Sequence, residues 1–174
     1  MSLYRMHVTG IHIILRGKMI YRQAVPSDFP RLAQMRWDFR TELLTEPLSP
    51  ETWEAYLPVM LDFLEDAYQN GRWVMWVAEQ EGVIVSHVYI ERIRKVPRPT
   101  SFDAEYGYLT NMYTLPAHRG QEIGANLLRV AVEWAREQHL EMVILWPARG
   151  REAFYKRSGF IAEPKAMSLE LEEG

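Results

Sequence analysis

A mixed β-sheet with helices packed on both faces, of the α/β (α+β) class, is the fold that the sequence predicts. The elements run as a strand, two helices, an antiparallel run of strands, then a strand–helix–strand–helix unit, an order that suits a layered sheet rather than a bundle or a barrel. The length, 174 residues, suits one domain, and 48% hydrophobic content is ample for a single core. No repeat, low-complexity segment or linker divides the chain.

The elements follow in order. Residues 1–18 read as an N-terminal extension, expected as an added edge strand or a contact with a neighbouring chain, and residues 19–174 as the domain proper. The apolar run from Gly10 to Leu15 is too short for a secretory segment. Residues 19–24 are expected as the first strand. Ser27 and Asp28 are suited to cap a first helix that carries Leu32, Met35, Trp37, Phe39, Leu43 and Leu44. Ser49-Pro50-Glu51 opens a second helix, which Pro58 is expected to kink or divide and Asn70-Gly71 to end. Residues 73–79 and 83–94 alternate as two strands about a turn at Glu81-Gly82, and residues 106–114 form the next strand, stopped by Pro116. A helix over 121–138 places Ile123, Leu127, Ala131 and Trp134 on one stripe. A short strand over 142–146, a helix over 151–158 and a closing strand or strands over 160–171 complete the chain.

Composition narrows the function. A net charge of −3 argues against a general nucleic-acid binder. With no cysteine, disulfides, thiolate metal sites and a cysteine nucleophile are excluded, and a reducing cytoplasm is the expected compartment. The five histidines show no metal-ligand spacing, and no apolar run is long enough to span a bilayer. Neither a metal, a nucleic acid nor a membrane is therefore expected as a partner.

Between the strand over 106–114 and the following helix lies His118-Arg119-Gly120-Gln121-Glu122-Ile123-Gly124-Ala125. A basic residue, two glycines and a helix start can hold a phosphate, because the first helical N–H groups lack partners inside the helix. An ordinary strand-to-helix turn with a surface arginine explains the stretch equally well. About thirty residues on comes Tyr155-Lys156-Arg157-Ser158-Gly159-Phe160. Together the two segments resemble the GCN5-related N-acetyltransferase (GNAT) superfamily. Arg119 and Gly124 match its Arg/Gln-x-x-Gly-x-Gly/Ala loop for the acyl-CoA pyrophosphate, with Glu122 in place of the middle glycine. Tyr155, Gly159 and Phe160 match its Tyr-x-x-x-Gly-Phe signature. The motifs of the resemblance span 106–160, and its order of elements, with residues 19–24 as the family's first strand, extends from 19 to the end.

The resemblance implies a mostly antiparallel sheet that splays beside its central strand, with acetyl-CoA entering the gap. It implies pyrophosphate binding by Arg119, Gly120, Gln121, Glu122, Ile123, Gly124 and Ala125, and a main-chain donor to the thioester carbonyl among Met112, Tyr113 and Thr114. It implies Tyr155 as the general acid for the departing thiolate, with a core tyrosine as the alternative. A carboxylate acting through water is common in the family, and Glu105 is the candidate base, although a solvated strand-edge charge describes it too. His87 alternates with Val83, Val85 and Tyr89 and fits a core or pocket histidine. Trp37, Trp53, Tyr56 and Trp76 are candidates to line an acceptor pocket, or to be core. Direct acetyl transfer to a primary amine of a small molecule or peptide is the expected activity. A catalytically weak acyl-CoA sensor or interaction module on the same fold is the alternative, and a homodimer is expected by analogy.

Overall fold

The computed structural model describes residues 4–8, 11–16, 19–162 and 169, and the side chains from residue 19 onward. Its strands are β1 (Tyr4–Val8), β2 (Ile11–Arg16), β3 (Met19–Gln23), β4 (Trp73–Gln80), β5 (Val83–Arg94), β6 (Glu105–Thr114) and β7 (Val143–Ile144). Its α-helices are α1 (Phe29–Thr41), α2 (Pro50–Gln69), α3 (Ile123–Glu137) and α4 (Glu152–Arg157). The strands form one sheet in chain order from β1 to β7. Neighbours are antiparallel except β6 and β7, which run parallel. The helices flank the five-stranded part from β3 to β7, and the β1–β2 hairpin extends the sheet at the β3 edge.

Two apolar layers hold this arrangement. On one face, Trp76, Val85, Val88, Ile90 and Leu109 pack against Ile123, Leu127, Ala131 and Trp134 of α3. On the other, Met75, Val77, Tyr89 and Tyr113 pack against Leu32 and Met35 of α1 and Met60 and Leu64 of α2. Burial on both faces is why β5 is covered continuously from Ile84 to Ile90 instead of at alternate positions. Trp76 therefore lies under α3, 6.4 Å from the Trp134 ring, and lines no pocket beside the first helices.

Several boundaries depart from expectation for identifiable reasons. Helix α2 runs through Pro58, which is exposed, so the carbonyl deprived of its N–H partner can be solvated. Asp28 does not cap α1 with its side chain. Its carboxylate accepts from the Val25 N–H at 2.8 Å and pairs with Arg22, which also grips Glu79. Helix α3 starts at Ile123 because Gly120 and Glu122 both have positive φ, +74° and +60°. Strand β7 is two residues long because it leaves β6 after one short stretch of pairing. Most of the expected closing strand falls on 163–168 and 170–171, outside the described residues.

Candidate active site

The site begins where the sheet comes apart. Strand β7 pairs with β6 only at Gly107↔Val143 and Tyr108↔Ile144. From Leu109 to Thr114 the backbone groups of β6 on that side have no strand partner among the described residues. This stretch is the C-terminal part of β6, after which the chain turns toward α3.

Beside the gap, β6 carries a bulge. The pairing with β5 shifts between His87 and Tyr89, so Asn111 and Met112 together oppose Val88. Asn111 takes the extra residue's strained geometry, with φ +49°. Asparagine tolerates this left-handed region better than most side chains. Its side-chain oxygen accepts from Arg36 Nη1 of α1 at 2.9 Å, across 75 positions of sequence.

Strand β6 is followed by a short 3₁₀ turn at Pro116–His118 and then by the glycine loop. The first bond of α3 runs from the Asn126 N–H to the Glu122 carbonyl at 2.9 Å. The N–H groups of Gly120, Gln121, Glu122, Ile123, Gly124 and Ala125 find no acceptor among the described residues. A row of free amides at the head of a 15-residue helix is a ready site for an anion. Gly124 must remain small, because a Cβ there would lie 3.1 Å from Thr114 Oγ1 and 3.3 Å from Met112 Cε. Glu122 lines a groove of about 520 Å³ that also includes Met19 and Tyr21 of β3, three strands away from β6 in sheet order.

Tyr155 reaches the bulge from α4. Its hydroxyl lies 3.9 Å from Met112 Sδ, and its ring packs with Phe154 and Phe160. Burial raises the phenol above its ordinary value, with Arg151 opposing, so it stays protonated at neutral pH. The structure thus brings Tyr155, Met112, Thr114 and the loop over Gly120–Ala125 together at one end of the gap.

Arg119 stands differently from the expectation. Its guanidinium makes a bidentate pair with Glu42 at the end of α1, both contacts at 2.6 Å, while Nε donates to the Thr114 carbonyl at 2.9 Å. It lies 5.4 Å over the Tyr113 ring. The charge is therefore already neutralised by a carboxylate. Tyr113 points to the α1 side, packs on Phe39 and is pushed up to about 12 by burial and by the Glu42 carboxylate.

Glu105 is not brought to the site. It opens β6 six residues before Asn111, about 20 Å away along the strand. Its carboxylate is held by Arg92, with contacts of 2.8 and 2.5 Å. Distance and ion pairing set Glu105 apart from the bulge. His87 is fully buried, and among the described residues neither ring nitrogen has a partner in good hydrogen-bond geometry, the Asn111 backbone approaching without one. Burial, aided by Arg36 and Arg31, pushes it down to about 3, so it remains neutral and weakly basic.

On the α1 face of the bulge lies a polar cluster that sequence reasoning missed. Arg36 is half-buried, with Tyr56, Tyr89 and Tyr108 around it, and burial lowers its pKa, with Arg40 adding to the effect. Among the described residues the buried hydroxyls of Tyr56 and Tyr89 have no partner in good hydrogen-bond geometry. Trp37, Trp53 and Tyr56 stack against one another at 5.2–5.9 Å, and Tyr108 meets the exposed Trp146 at 5.1 Å. One signal was available: Arg36 sits between Leu32 and Phe39 at helical spacing, a charge inside an apolar stripe. Nothing local marked Glu42 as a partner of Arg119.

The profile of the acetyltransferase (GNAT) family matches residues 29–160. The chain belongs to the GNAT family. This GNAT chain is similar to a solved structure described as a predicted acetyltransferase with acetyl-CoA from Clostridium acetobutylicum, at 27% identity and TM-score 0.72, covering 88% of this chain and 96% of that one. An acetyltransferase from Trypanosoma brucei matches at 24% identity and TM-score 0.67, over 88% and 99%. Glucosamine-6-phosphate N-acetyltransferase from Arabidopsis thaliana shares the fold at 17% identity and TM-score 0.64, over 88% and 99%. No curated protein sequence matches the chain. As a GNAT protein the chain is an acyltransferase, and among its described residues no helix is long and apolar enough to cross a membrane.

Proposed function

We propose that this GNAT enzyme transfers the acetyl group of acetyl-CoA directly to a primary amine. The observation that carries the reading is the Tyr155 hydroxyl on Met112 Sδ, at the bulge of a strand whose edge is unpaired. The residues fit the co-substrate. Free amides over Gly120–Ala125 suit a diphosphate, and the open edge of β6 suits an extended chain that carries amide groups. Bound there, acetyl-CoA supplies an activated thioester carbon.

The chain's own residues do the rest. A main-chain N–H at Met112–Thr114 donates to the carbonyl oxygen as negative charge develops on it. The amine nitrogen bonds to the acyl carbon, the carbon–sulfur bond breaks, and the Tyr155 hydroxyl gives its proton to the leaving sulfur. With Glu105 engaged by Arg92, the proton lost by the amine passes to water at the mouth of the gap. Arg119 acts through Glu42 and Thr114, holding the loop while the amides meet the phosphates. The reading assigns the activity to residues 19–174 as one domain, with 1–18 as an extension.

Tyr155→Phe tests it. Turnover is expected to fall about a hundredfold or more, with the dissociation constant for acetyl-CoA by calorimetry within about twofold of wild type, since a phenol donating to sulfur contributes little to ground-state binding. Undiminished thiol release by the variant removes Tyr155 from the reaction. A second reading, an acyl-CoA sensor with little catalysis, is favoured by the neutralised Arg119 and by the Glu122 carboxylate in the loop. Calorimetric binding with no turnover across a broad amine panel would select it.

A further inference from the structure

Arg36 is a cation in search of an anion. It lies half-buried on the α1 side of β6, and among the described residues its one hydrogen bond is from Nη1 to Asn111 Oδ1. A guanidinium has five N–H donors in a planar fork, so most of that fork is unmet. Among the described residues no carboxylate pairs with it, and the nearby charge that acts on it most is another cation, Arg40. By contrast, Arg22, Arg92, Arg98 and Arg119 all have acidic partners. An unpaired charge in a partly desolvated site is costly, and here it is accompanied by further unmet groups. Among the described residues the buried Tyr56 hydroxyl has no hydrogen-bond partner, and the Tyr89 hydroxyl, in a residue 2% exposed, is approached by the Asn111 side chain outside good hydrogen-bond geometry. Both phenols lie close enough to interact with the Arg36 charge.

Resting on acetyl transfer as the activity, we propose that the acceptor is a carboxylate-bearing amine, an amino acid or close analogue, whose carboxylate is bound by Arg36 with the Tyr56 and Tyr89 hydroxyls beside it. A planar fork meets a carboxylate through two parallel bonds, and a phenol hydroxyl adds a donor at its flank. A single guanidinium walled by aromatic rings suits a planar monoanion better than a phosphate, which carries more charge and more oxygens to satisfy. Arg36 is bonded to Asn111, and the next residue, Met112, is where Tyr155 stands. Arg36 and Tyr155 thus engage consecutive residues of the bulge from opposite faces of β6, and an α- or β-amino acid, with its amine close to its carboxylate, is the acceptor this adjacency favours.

The test compares glycine, alanine, leucine, phenylalanine and glutamate with their primary amides and with the corresponding amines that lack the carboxyl group, using wild type, Arg36→Gln and Arg36→Lys. Thiol release and mass detection of the acetylated product give kcat/KM. Calorimetry with desulfo-CoA present gives acceptor binding without chemistry. At least one amino acid is expected to exceed its amide and its decarboxylated amine by about 10- to 100-fold, the range for a hydrogen bond to a charged group. Arg36→Gln should abolish that preference, with Arg36→Lys intermediate and acetyl-CoA affinity unchanged in both. Unaltered thermal melting separates this effect from collapse of the bulge. Amides or simple amines acetylated as well as the acids would overturn the proposal and leave acetyl transfer standing. Carboxylate-dependent binding lost in Arg36→Gln, without turnover of any amine, would sustain the anion site and overturn the catalytic reading. Binding of none of the acids would overturn the anion site.

Discussion

Glu122 occupies the loop position where the family carries a glycine, and its backbone is left-handed, with φ +60° and ψ 4°. For a residue with a Cβ that geometry costs about 1–2 kcal/mol. Glycine removes the cost but loses about 0.5–1 kcal/mol to the greater freedom of its unfolded chain. The carboxylate's favourable position near the helix start complicates a direct comparison with wild type, so the informative pair is Glu122→Gly against Glu122→Ala, which both lack the charge. Glu122→Gly should be more stable than Glu122→Ala by about 0.5–1 kcal/mol, a melting difference of about 1–4 °C for a chain of this size. Scanning calorimetry measures it. The same two proteins, titrated with acetyl-CoA, should bind as tightly as wild type or more tightly, because a carboxylate near the diphosphate has been removed while the amide at position 122 remains. Coincident melting of the two variants would show that left-handed strain is not what Glu122 bears. Marked weakening of acetyl-CoA binding in both would refute its placement as a bystander to the phosphates.

Three further outcomes follow from the geometry. Because burial raises Tyr155, the proton needed for acid catalysis is present through neutral pH and is lost only as pH rises through a value above its usual one of about 10; wild-type kcat should keep an alkaline limb there that Tyr155→Phe lacks. Glu42→Gln breaks the bidentate pair whose hydrogen bonds hold the Glu42 carboxyl below its usual range, and loss of that brace should weaken acetyl-CoA by about two- to fivefold; tighter binding with a steeper salt dependence would mean that the freed Arg119 charge meets the phosphates itself. Gly124→Val forces a side chain against Thr114 and Met112 and should cost about 1–3 kcal/mol in stability by overpacking, with loss of acetyl-CoA affinity in calorimetry; wild-type behaviour in both would show that β6 yields freely there.

The parts of the site that sequence made legible are local ones. Gly120, Glu122 and Gly124 lie within five residues, and Tyr155, Gly159 and Phe160 within six, so both motifs that carry the family resemblance fit inside short windows. Alternation predicted β4, β5 and β6, but not which end of β6 faces the gap. Glu105 and Met112 share a strand, and only the short pairing with β7 distinguishes the closed end from the open one. Nor could alternation alone tell which face of β4 lies under α3, and that decides between core and pocket for Trp76. The bulge at Asn111 had no glycine to announce it. Its partner Arg36 is 75 positions away, and Glu42 is 77 from Arg119. Such pairs arise from the packing of α1 across the sheet, which no window along the chain contains.

The short β6–β7 pairing also bears on how the protein should be handled. A row of backbone groups with no strand partner among the described residues is an edge like any other, and edges recruit strands from neighbouring molecules. A ligand that lies along β6 would cover that edge, and binding to the native state alone adds stability in proportion to the logarithm of its concentration over its dissociation constant. Purification and storage with coenzyme A present should therefore slow self-association, and light scattering of heated samples with and without it would register the difference.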